Sequence, residues 1–245
     1  RHPRCPADRG RRLRLARLPA RDRSRREERP RPTGGHWRAR TAEGARFLWG
    51  RPELRPLVLA GGATMLFSGL GGPLVYAVVE GLGHSPAYTG TLYAVQGAGS
   101  VVVGLLSGPA LRRLGERRFA ACGIALTAGA VAAQAVASDP VALVCSAAIG
   151  AGLPCVLIAA LTAVQRETPD ALLGRVTATA GTLMYAPTAV GLAAGAGLVE
   201  LVPYRPLLVL LAVARLAVLP LLRGGQRAAS ASRTQARSPS DANPA

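Results

Sequence analysis

Long runs of apolar residues separated by short polar stretches fill residues 57 to 222. Each run is nearly free of charge. A helix that rises about 1.5 Å per residue can therefore use each run to cross the roughly 30 Å hydrocarbon layer of a bilayer. A soluble core does not need apolar helices of this length, so the pattern predicts an all-α membrane protein with six transmembrane helices. The predicted spans are residues 57 to 79, 89 to 111, 119 to 137, 141 to 164, 176 to 199 and 206 to 222.

The connections between these spans alternate between arginine-rich and arginine-poor. Four arginines fall within residues 112 to 118, and two more, Arg166 and Arg175, lie between spans four and five. The opposite connections contain a single arginine, Arg205. Short loops rich in Arg remain in the cytoplasm. The alternation thus predicts a multi-pass protein of the plasma (inner) membrane with both termini cytoplasmic.

The formal charge of +17 is concentrated before the first span. Residues 1 to 53 contain 17 arginines against 6 acidic residues, a net +11. Low hydrophobicity and high charge predict disorder for a basic arm, residues 1 to 40, and for a cytoplasmic tail, residues 224 to 245. The arm could bind nucleic acid through phosphates, attract anionic lipid, or be a linker or sequence outside the true protein. We favour the last interpretation and expect no specific nucleic-acid partner, since an arm with few aromatics offers no recognition surface.

A short amphipathic stretch, residues 41 to 54, leads into the first span. Its apolar triplet Phe47 to Trp49 lies between two arginines. Trp is favoured at the headgroup level of a membrane. The stretch therefore predicts an interfacial lead-in helix, followed by a six-helix bundle over residues 55 to 223.

The six spans divide into two triplets, residues 57 to 137 and 141 to 222, joined by a short turn at residues 138 to 140. Because three is an odd number, the second triplet must run inverted relative to the first. Inverted repeats underlie many secondary transporters, in which helices interrupted by glycine or proline point to the binding site. The first helix of each triplet fits this description. The residues concerned are Gly69, Gly71, Gly72 and Pro73 in one helix, and Gly150, Gly152 and Pro154 in the other.

Glycines also recur at the spacing used for helix packing. Gly104 and Gly108 are four residues apart in the second span, and Gly191 and Gly195 are four apart in the fifth. Small residues at this interval let helices approach closely in lipid. We expect these four glycines to be packing positions.

Few polar side chains fall within the spans, and these are the candidates for a substrate pathway. Gln96 is the leading candidate, because an amide at bilayer depth usually faces a bundle interior or a wet cavity. A helix-to-helix hydrogen bond is an equally good interpretation of this residue. The full candidate set is Gln96, Thr64, Ser68, Tyr76, Pro154 and Thr162.

Arg215 is the ionised residue that lies well inside a span, and we expect it to snorkel toward the cytoplasmic headgroups. No Asp or Glu falls at mid-membrane depth, and the four cysteines show no metal-ligand spacing. The sequence also lacks the phosphate-loop, zinc-protease and nucleophile-elbow motifs. We therefore expect no enzyme activity, no metal and no cofactor.

The stretch at the end of the second span carries a family signature. Residues 108 to 118 read Gly-Pro-Ala-Leu-Arg-Arg-Leu-Gly-Glu-Arg-Arg. This resembles the loop signature of the major facilitator superfamily, Gly-x-x-x-Asp-Arg-x-Gly-Arg-Arg. Arg112 stands where the family usually has Asp, and Glu116 stands where it often has a basic residue. Because the family's usual acidic residue is replaced, Glu116 could instead pair with a neighbouring arginine. The resemblance implies a cytoplasmic gating loop that contains Gly108, Arg112, Arg113, Gly115 and Arg117, although these arginines could equally serve only to set topology.

A second stretch, residues 165 to 176, is similar to the loop between helices ten and eleven of efflux-type members. Its matching residues in this second cytoplasmic loop are Pro169, Asp170, Gly174 and Arg175. The segment from Glu43 to Pro52 likewise resembles their central loop. The resemblance covers about residues 43 to 222 and corresponds to the C-terminal six-helix half of the major facilitator fold.

The resemblance implies a secondary active transporter, or its C-terminal half, that exports small hydrophobic or amphipathic compounds by alternating access. Its partners would be the lipid bilayer, a small-molecule substrate and a second six-helix half, either a missing N-terminal half or another subunit. Two other functions remain open. The chain could be a helix-bundle interaction subunit or nonfunctional truncated remnant, or, less in keeping with its residues, an intramembrane enzyme.

Overall fold

The computed structural model describes residues 34–222, with side chains described from Ala42 onward. The predicted tail lies outside these residues, as does the predicted basic arm up to residue 33. The described part of the chain contains seven α-helices and no strand. They are α1 (Gly34–Gly50), α2 (Arg55–Gly81), α3 (Tyr88–Leu114), α4 (Glu116–Ala133), α5 (Asp139–Glu167), α6 (Asp170–Leu201) and α7 (Tyr204–Leu216).

Proline and aspartate mark the beginnings of several helices. Pro56 and Pro140 occupy the first turns of α2 and α5, and Pro169 and Pro203 directly precede α6 and α7. Proline suits these positions because it lacks the N–H group that a first turn leaves unpaired and already has a helical φ. In α5 and α6 an aspartate in the first turn also faces the positive end of the helix dipole.

Five helical segments are long and apolar enough to cross a membrane: α2, α3, α5, α6 and the segment Tyr204–Leu222, which extends α7. They correspond to five of the six predicted spans. The third predicted span, residues 119 to 137, corresponds to α4, which ends at Ala133 and begins with Glu116, Arg117 and Arg118. Because these charges occupy the first turn of an 18-residue helix, a sixth crossing stays a prediction.

The two predicted loops at the arginine-rich connections are much shorter in the structure. Only Gly115 separates α3 from α4. With its φ of 73° the chain leaves one helix and enters the next within a single residue. Its N–H group donates to the Leu111 carbonyl at 2.9 Å, and its carbonyl accepts from the Phe119 N–H group at 3.0 Å. The prediction of a loop over residues 112 to 118 was wrong, because both helices continue up to this glycine.

The second predicted loop is also mostly helical. Only Thr168 and Pro169 separate α5 from α6, whereas Asp170, Gly174 and Arg175 lie within the first two turns of α6. The Thr168 hydroxyl donates to the Val164 carbonyl at 2.6 Å and so satisfies one of the free carbonyls at the end of α5. Two residues are therefore enough to connect α5 to α6.

Helix α2 packs against α6 through backbone contact at glycines. A Cβ atom on Gly191 would meet the Leu66 carbonyl, and one on Gly195 would meet the Leu70 carbonyl. From the other side, a Cβ on Gly69 would meet the Thr188 carbonyl. The predicted packing role of Gly191 and Gly195 is confirmed.

Helix α5 is packed in the same way on two sides. A Cβ on Gly150 would collide with the Gln96 backbone of α3, and the Ser100 hydroxyl of α3 donates to the Gly150 carbonyl at 2.8 Å. On the other side, a Cβ on Gly123 of α4 would lie 2.6 Å from the Gly152 carbonyl. Glycines within α2 and α5 thus serve close packing, and both helices run unbroken through Pro73 and Pro154.

The other predicted glycine pair does not pack within the described bundle. Nothing described lies within 4 Å of a Cβ placed on Gly104, and Gly108 has only Arg112 of its own helix nearby. The neighbouring side chains Val101 and Leu105 are 63% and 78% exposed. Gly104 and Gly108 therefore contact no other described helix, because this face of α3 points away from them, and their packing role stays a prediction.

Candidate functional site

One end of the bundle, where α3 meets α4 at Gly115, carries most of its ion pairs, and we refer to it as the arginine-rich end. Here Glu116 of α4 and Arg166 of α5 form an ion pair with an N–O distance of 2.6 Å. Arg166 also contacts the neighbouring Glu167 at 3.2 Å. The acidic residue of the signature stretch therefore binds an arginine 50 residues away, which joins α4 to the end of α5.

Two further ion pairs at the arginine-rich end involve α1 and the turn that follows it. Glu43 of α1 and Arg175 of α6 lie 2.9 Å apart. Arg51 lies 3.6 Å from Glu167 of α5, and its guanidinium stacks over the Phe47 ring at 5.1 Å. Helix α1 is thereby tied both to the end of α5 and to the beginning of α6.

The remaining arginines of the signature stretch are exposed or half-buried. Arg112 and Arg113 lie in the last turn of α3, where positive charge suits the negative end of the helix dipole. Arg117 follows in the first turn of α4. None of these three forms an ion pair with a residue that the structure describes. They leave this surface with an excess of positive charge.

The opposite end of the bundle, which we call the histidine end, has one ion pair among the described residues. His84 Nε2, between α2 and α3, lies 2.8 Å from Asp139 Oδ1 at the start of α5. The His84 ring also stacks on Tyr88, with ring centres 4.3 Å apart. No sequence spacing indicates this pair, because its members are 55 residues apart.

A cavity of about 100 Å³ lies inside the bundle between α2, α3, α4, α5 and α7. Aliphatic side chains form much of its wall. Two of the substrate-pathway candidates, Ser68 and Gln96, line it together. Its polar lining residues are Ser68, Tyr93, Gln96, Gln134, Ser146 and Arg215.

The other four pathway candidates lie elsewhere. Thr64 is buried on α2, and Pro154 and Thr162 are half-buried on α5. Tyr76 is 54% exposed on the surface of α2. None of them lines the cavity. The structure therefore brings together only two of the six residues that the sequence singles out.

Arg215 is buried and only 4% exposed. Its Nη2 atom donates to the Phe67 carbonyl at 3.0 Å, whereas Nε and Nη1 have no hydrogen-bond partner among the described residues. The expectation that Arg215 snorkels to the headgroups was wrong. Leu208 and Leu211, which lie seven and four residues earlier, are buried on the same face of α7, so helical periodicity would have placed Arg215 inside the bundle.

The chemical groups of the cavity are suited to ligand binding. Within residues 42 to 222, no group of three or more His, Cys, Asp or Glu residues is placed to hold a metal ion. The cavity offers hydroxyl, amide and guanidinium groups, which bind and orient a ligand but supply no carboxylate for proton transfer.

Comparison with known protein families identifies the family of this chain. The sequence profile of the family described as Major Facilitator Superfamily matches residues 57–242. This range contains the arginine-rich connections, the cavity and all the helices from α2 onward. No curated protein sequence matches the chain.

Proposed function

We propose, because the chain belongs to the Major Facilitator Superfamily of membrane transporters, that it forms one six-helix half of a secondary active exporter. The family match over residues 57–242 is the observation that carries this proposal. In this interpretation α4 is the third of six crossings, and its 18 residues span about 27 Å, close to the thickness of the hydrocarbon layer. The arginine-rich end faces the cytoplasm of the plasma (inner) membrane.

The packing of the helices supports two inverted triplets, α2 to α4 and α5 to α7. Helix α2, the first of one triplet, packs on α6, the second of the other, and α5 packs on α3 in the reciprocal way. Both contacts bring a glycine of the first helix against backbone, at Gly69 and at Gly150. Exchange of the two triplets maps the α2–α6 contact onto the α5–α3 contact, as an inverted repeat requires, whereas the extensive α4–α5 contact has a smaller counterpart between α7 and α2.

The open face of α3 supports a second six-helix half as partner. Gly90, Gly97 and Gly104 are spaced seven residues apart, and a Cβ placed on any of them meets no described atom within 4 Å. Small residues in a row let a neighbouring helix approach closely in lipid. We infer that a helix of the partner half covers this row, and that the substrate passes between the two halves by alternating access.

The arginine-rich end supports a gating role for the signature stretch. The Glu116–Arg166 pair joins α4 to α5 within this chain. Arg112, Arg113 and Arg117 remain available for carboxylates on a partner half, because they form no ion pair with the described residues. Such contacts would close the cytoplasmic side and would break when it opens.

Exposed aromatic residues support the proposed substrate class. The side chains of Tyr76, Tyr93 and Tyr185 are 54%, 44% and 52% exposed on α2, α3 and α6, helices that also carry exposed aliphatic side chains. Such amphipathic rings suit small hydrophobic or amphipathic compounds. If protons drive the export, the carboxylate that binds them belongs to the partner half, because the spans of this chain carry none at mid-depth.

Transport of a fluorescent lipophilic amine by reconstituted vesicles tests the proposal. The chain alone is expected to give no concentrative transport under a proton or sodium gradient, because it supplies one wall of the pathway. The same chain joined to the first six helices of an efflux-type family member is expected to transport the amine. Concentrative transport by the chain alone would contradict its role as a half, and no transport by the well-folded fusion would contradict export.

A further inference from the structure

We propose that the cavity beside Arg215 is a binding site for a small monoanion, held by this guanidinium and by the amide groups of Gln96 and Gln134. The ligand would be either the carboxylate group of a small organic acid or a free halide ion. This inference goes beyond transport, since it concerns the interior of one bundle and needs neither a partner half nor a gradient.

The first argument is the unpaired charge of Arg215. A guanidinium remains protonated in proteins and presents five N–H donors. Only its contact with the Phe67 carbonyl is made, at 3.0 Å from Nη2, and the buried Nε and Nη1 atoms have no partner among the described residues. A buried charge is costly unless it is paired. An anion in the cavity would supply that pairing.

The second argument is the absence of any acidic residue that could serve instead. The described residues lining the cavity include no Asp or Glu. The ion pairs of the described chain lie at the arginine-rich and histidine ends, and none of them includes Arg215. Among the described residues no side chain supplies the counter-charge, and a bound anion would do so.

The third argument is the set of neutral donors around the same cavity. Gln96 on α3 and Gln134 at the end of α4 offer amide N–H groups, and Ser68 and Ser146 offer hydroxyls. None of these side chains hydrogen-bonds to another described residue. Donors from several helices thus surround one cation, an arrangement that suits an anion and would repel a second cation.

Size and depth define the class of ligand. A cavity of about 100 Å³ is smaller than the roughly 300 Å³ that encloses a drug-sized molecule. It accommodates a halide ion or a carboxylate with a few carbon atoms. Arg215 follows Tyr204 by 11 residues, about 16 Å along α7, so the cation lies near the middle of the membrane, where few other charges compete.

The full chain purified in neutral detergent provides the test. Its Tm is compared in sodium gluconate, whose anion is too large for the cavity, and in sodium chloride, bromide, acetate or propionate at the same ionic strength. An anion present at about 100 times its Kd is expected to raise Tm by about 5 °C. A rise with halides alone identifies an ion site, and a rise with acetate or propionate identifies a carboxylate site.

Two variants and a control connect this shift to the cavity. Arg215→Met is expected to abolish the anion-dependent rise, whereas Arg205→Met, which removes an exposed arginine of the same helix, is expected to retain it. If Arg215→Met does not fold, Gln96→Leu keeps the cation and is expected to weaken binding at least tenfold. The proposal is overturned if no small anion raises Tm above the gluconate value, or if the rise is unchanged in both cavity variants. Because this readout is binding, either result leaves the transport proposal to its own test.

Discussion

Gly115 joins α3 to α4 with φ of 73° and ψ of 161°, a backbone conformation that is essentially restricted to glycine. We expect Gly115→Ala to lower the free energy of unfolding by about 1–3 kcal/mol, because the added Cβ strains the only residue between the two helices. The loss is measured as a fall in Tm of the purified chain. Gly174→Ala is the matched control, since Gly174 lies in α6 with open space around it, and alanine favours helix. Equal Tm values for the two variants would contradict the role of Gly115.

At the scale of single residues, the sequence shows which side chains are unusual but not always where they point. Ser68 and Gln96 were found because polar groups at bilayer depth are rare, and both line the cavity. Arg215 was expected at the headgroups because only its distance from the cytoplasmic end of its span was weighed. Its helical register with Leu208 and Leu211 was the stronger signal. The contact between His84 and Asp139 depends on tertiary packing, so no local pattern could have predicted it.

At the scale of helices, glycine is required where the backbones of two helices are in contact, and a larger side chain is tolerated where no other helix is near. Gly191→Leu is expected to destabilise the bundle by several kcal/mol, because a side chain there collides with the Leu66 carbonyl and separates α6 from α2. Gly104→Leu is expected to leave the Tm of the isolated chain nearly unchanged, since its surroundings are open. In the fusion with a second six-helix half, however, Gly104→Leu should reduce transport.

Thermal unfolding of both leucine variants, together with vesicle transport by the fusion, measures this contrast. Gly197→Leu serves as a control, because Gly197 also meets no described neighbour but lies on α6 rather than on the glycine row of α3. Loss of stability in the Gly104 variant of the isolated chain would contradict the open face. Full transport by the Gly104 variant of the fusion would contradict the partner surface.

The ion pair between α4 and α5 is expected to matter more for gating than for stability. Glu116→Gln should lower the free energy of unfolding by at most about 1 kcal/mol, because the Arg166 side chain is 62% exposed. It should slow transport by the fusion several-fold, since this pair holds the beginning of α4, where Arg117 is positioned for the proposed closing contacts with the partner half. The exchange variant Glu116→Arg with Arg166→Glu restores the pair and should recover the rate. A rate equally low in Glu116→Gln and in the exchange variant would argue against a gating contact.

At this intermediate scale, the sequence predicted helices better than connections. Apolar runs located most ends of the long helices to within a few residues, although α6 begins at Asp170 rather than at residue 176. The connections were predicted too long because arginine is as compatible with a helix end as with a loop. A single glycine with positive φ was enough to replace the first of the two, predicted over residues 112 to 118.

For the whole molecule, the arginine distribution predicts which end faces the cytoplasm. A cysteine in place of Ser85, at the histidine end, should react with a membrane-impermeant maleimide added outside intact cells. The background variant has its own cysteines replaced by alanine, and Arg113→Cys is the opposite control, expected to react only after the cells are opened. The orientation is wrong if the cysteine at position 85 reacts only from the cytoplasmic side.

The overall class of the protein could be predicted because the length of each apolar run is read directly from the sequence. The described residues are all helical outside their connections, five of the helical segments are long and apolar enough to cross a membrane, and the family match supports the transporter class. The sixth crossing stays a prediction, because α4 combines a short length with three charges in its first turn. The positions of Glu43 and Arg175 against each other could not be read from the chain, as they are separated by 132 residues.

The two ion pairs that connect α1 and the turn after it to the bundle also have a mechanical consequence. Helices α5 and α6 have few contacts with each other. The turn after α1 contacts α5 through Arg51, and α1 itself contacts α6 through Glu43. A force on a helix that is held by two ion pairs is divided between both of them. A pull on the polypeptide that precedes α1 would thus be transmitted to both helices at once, and the two would tilt together rather than one at a time.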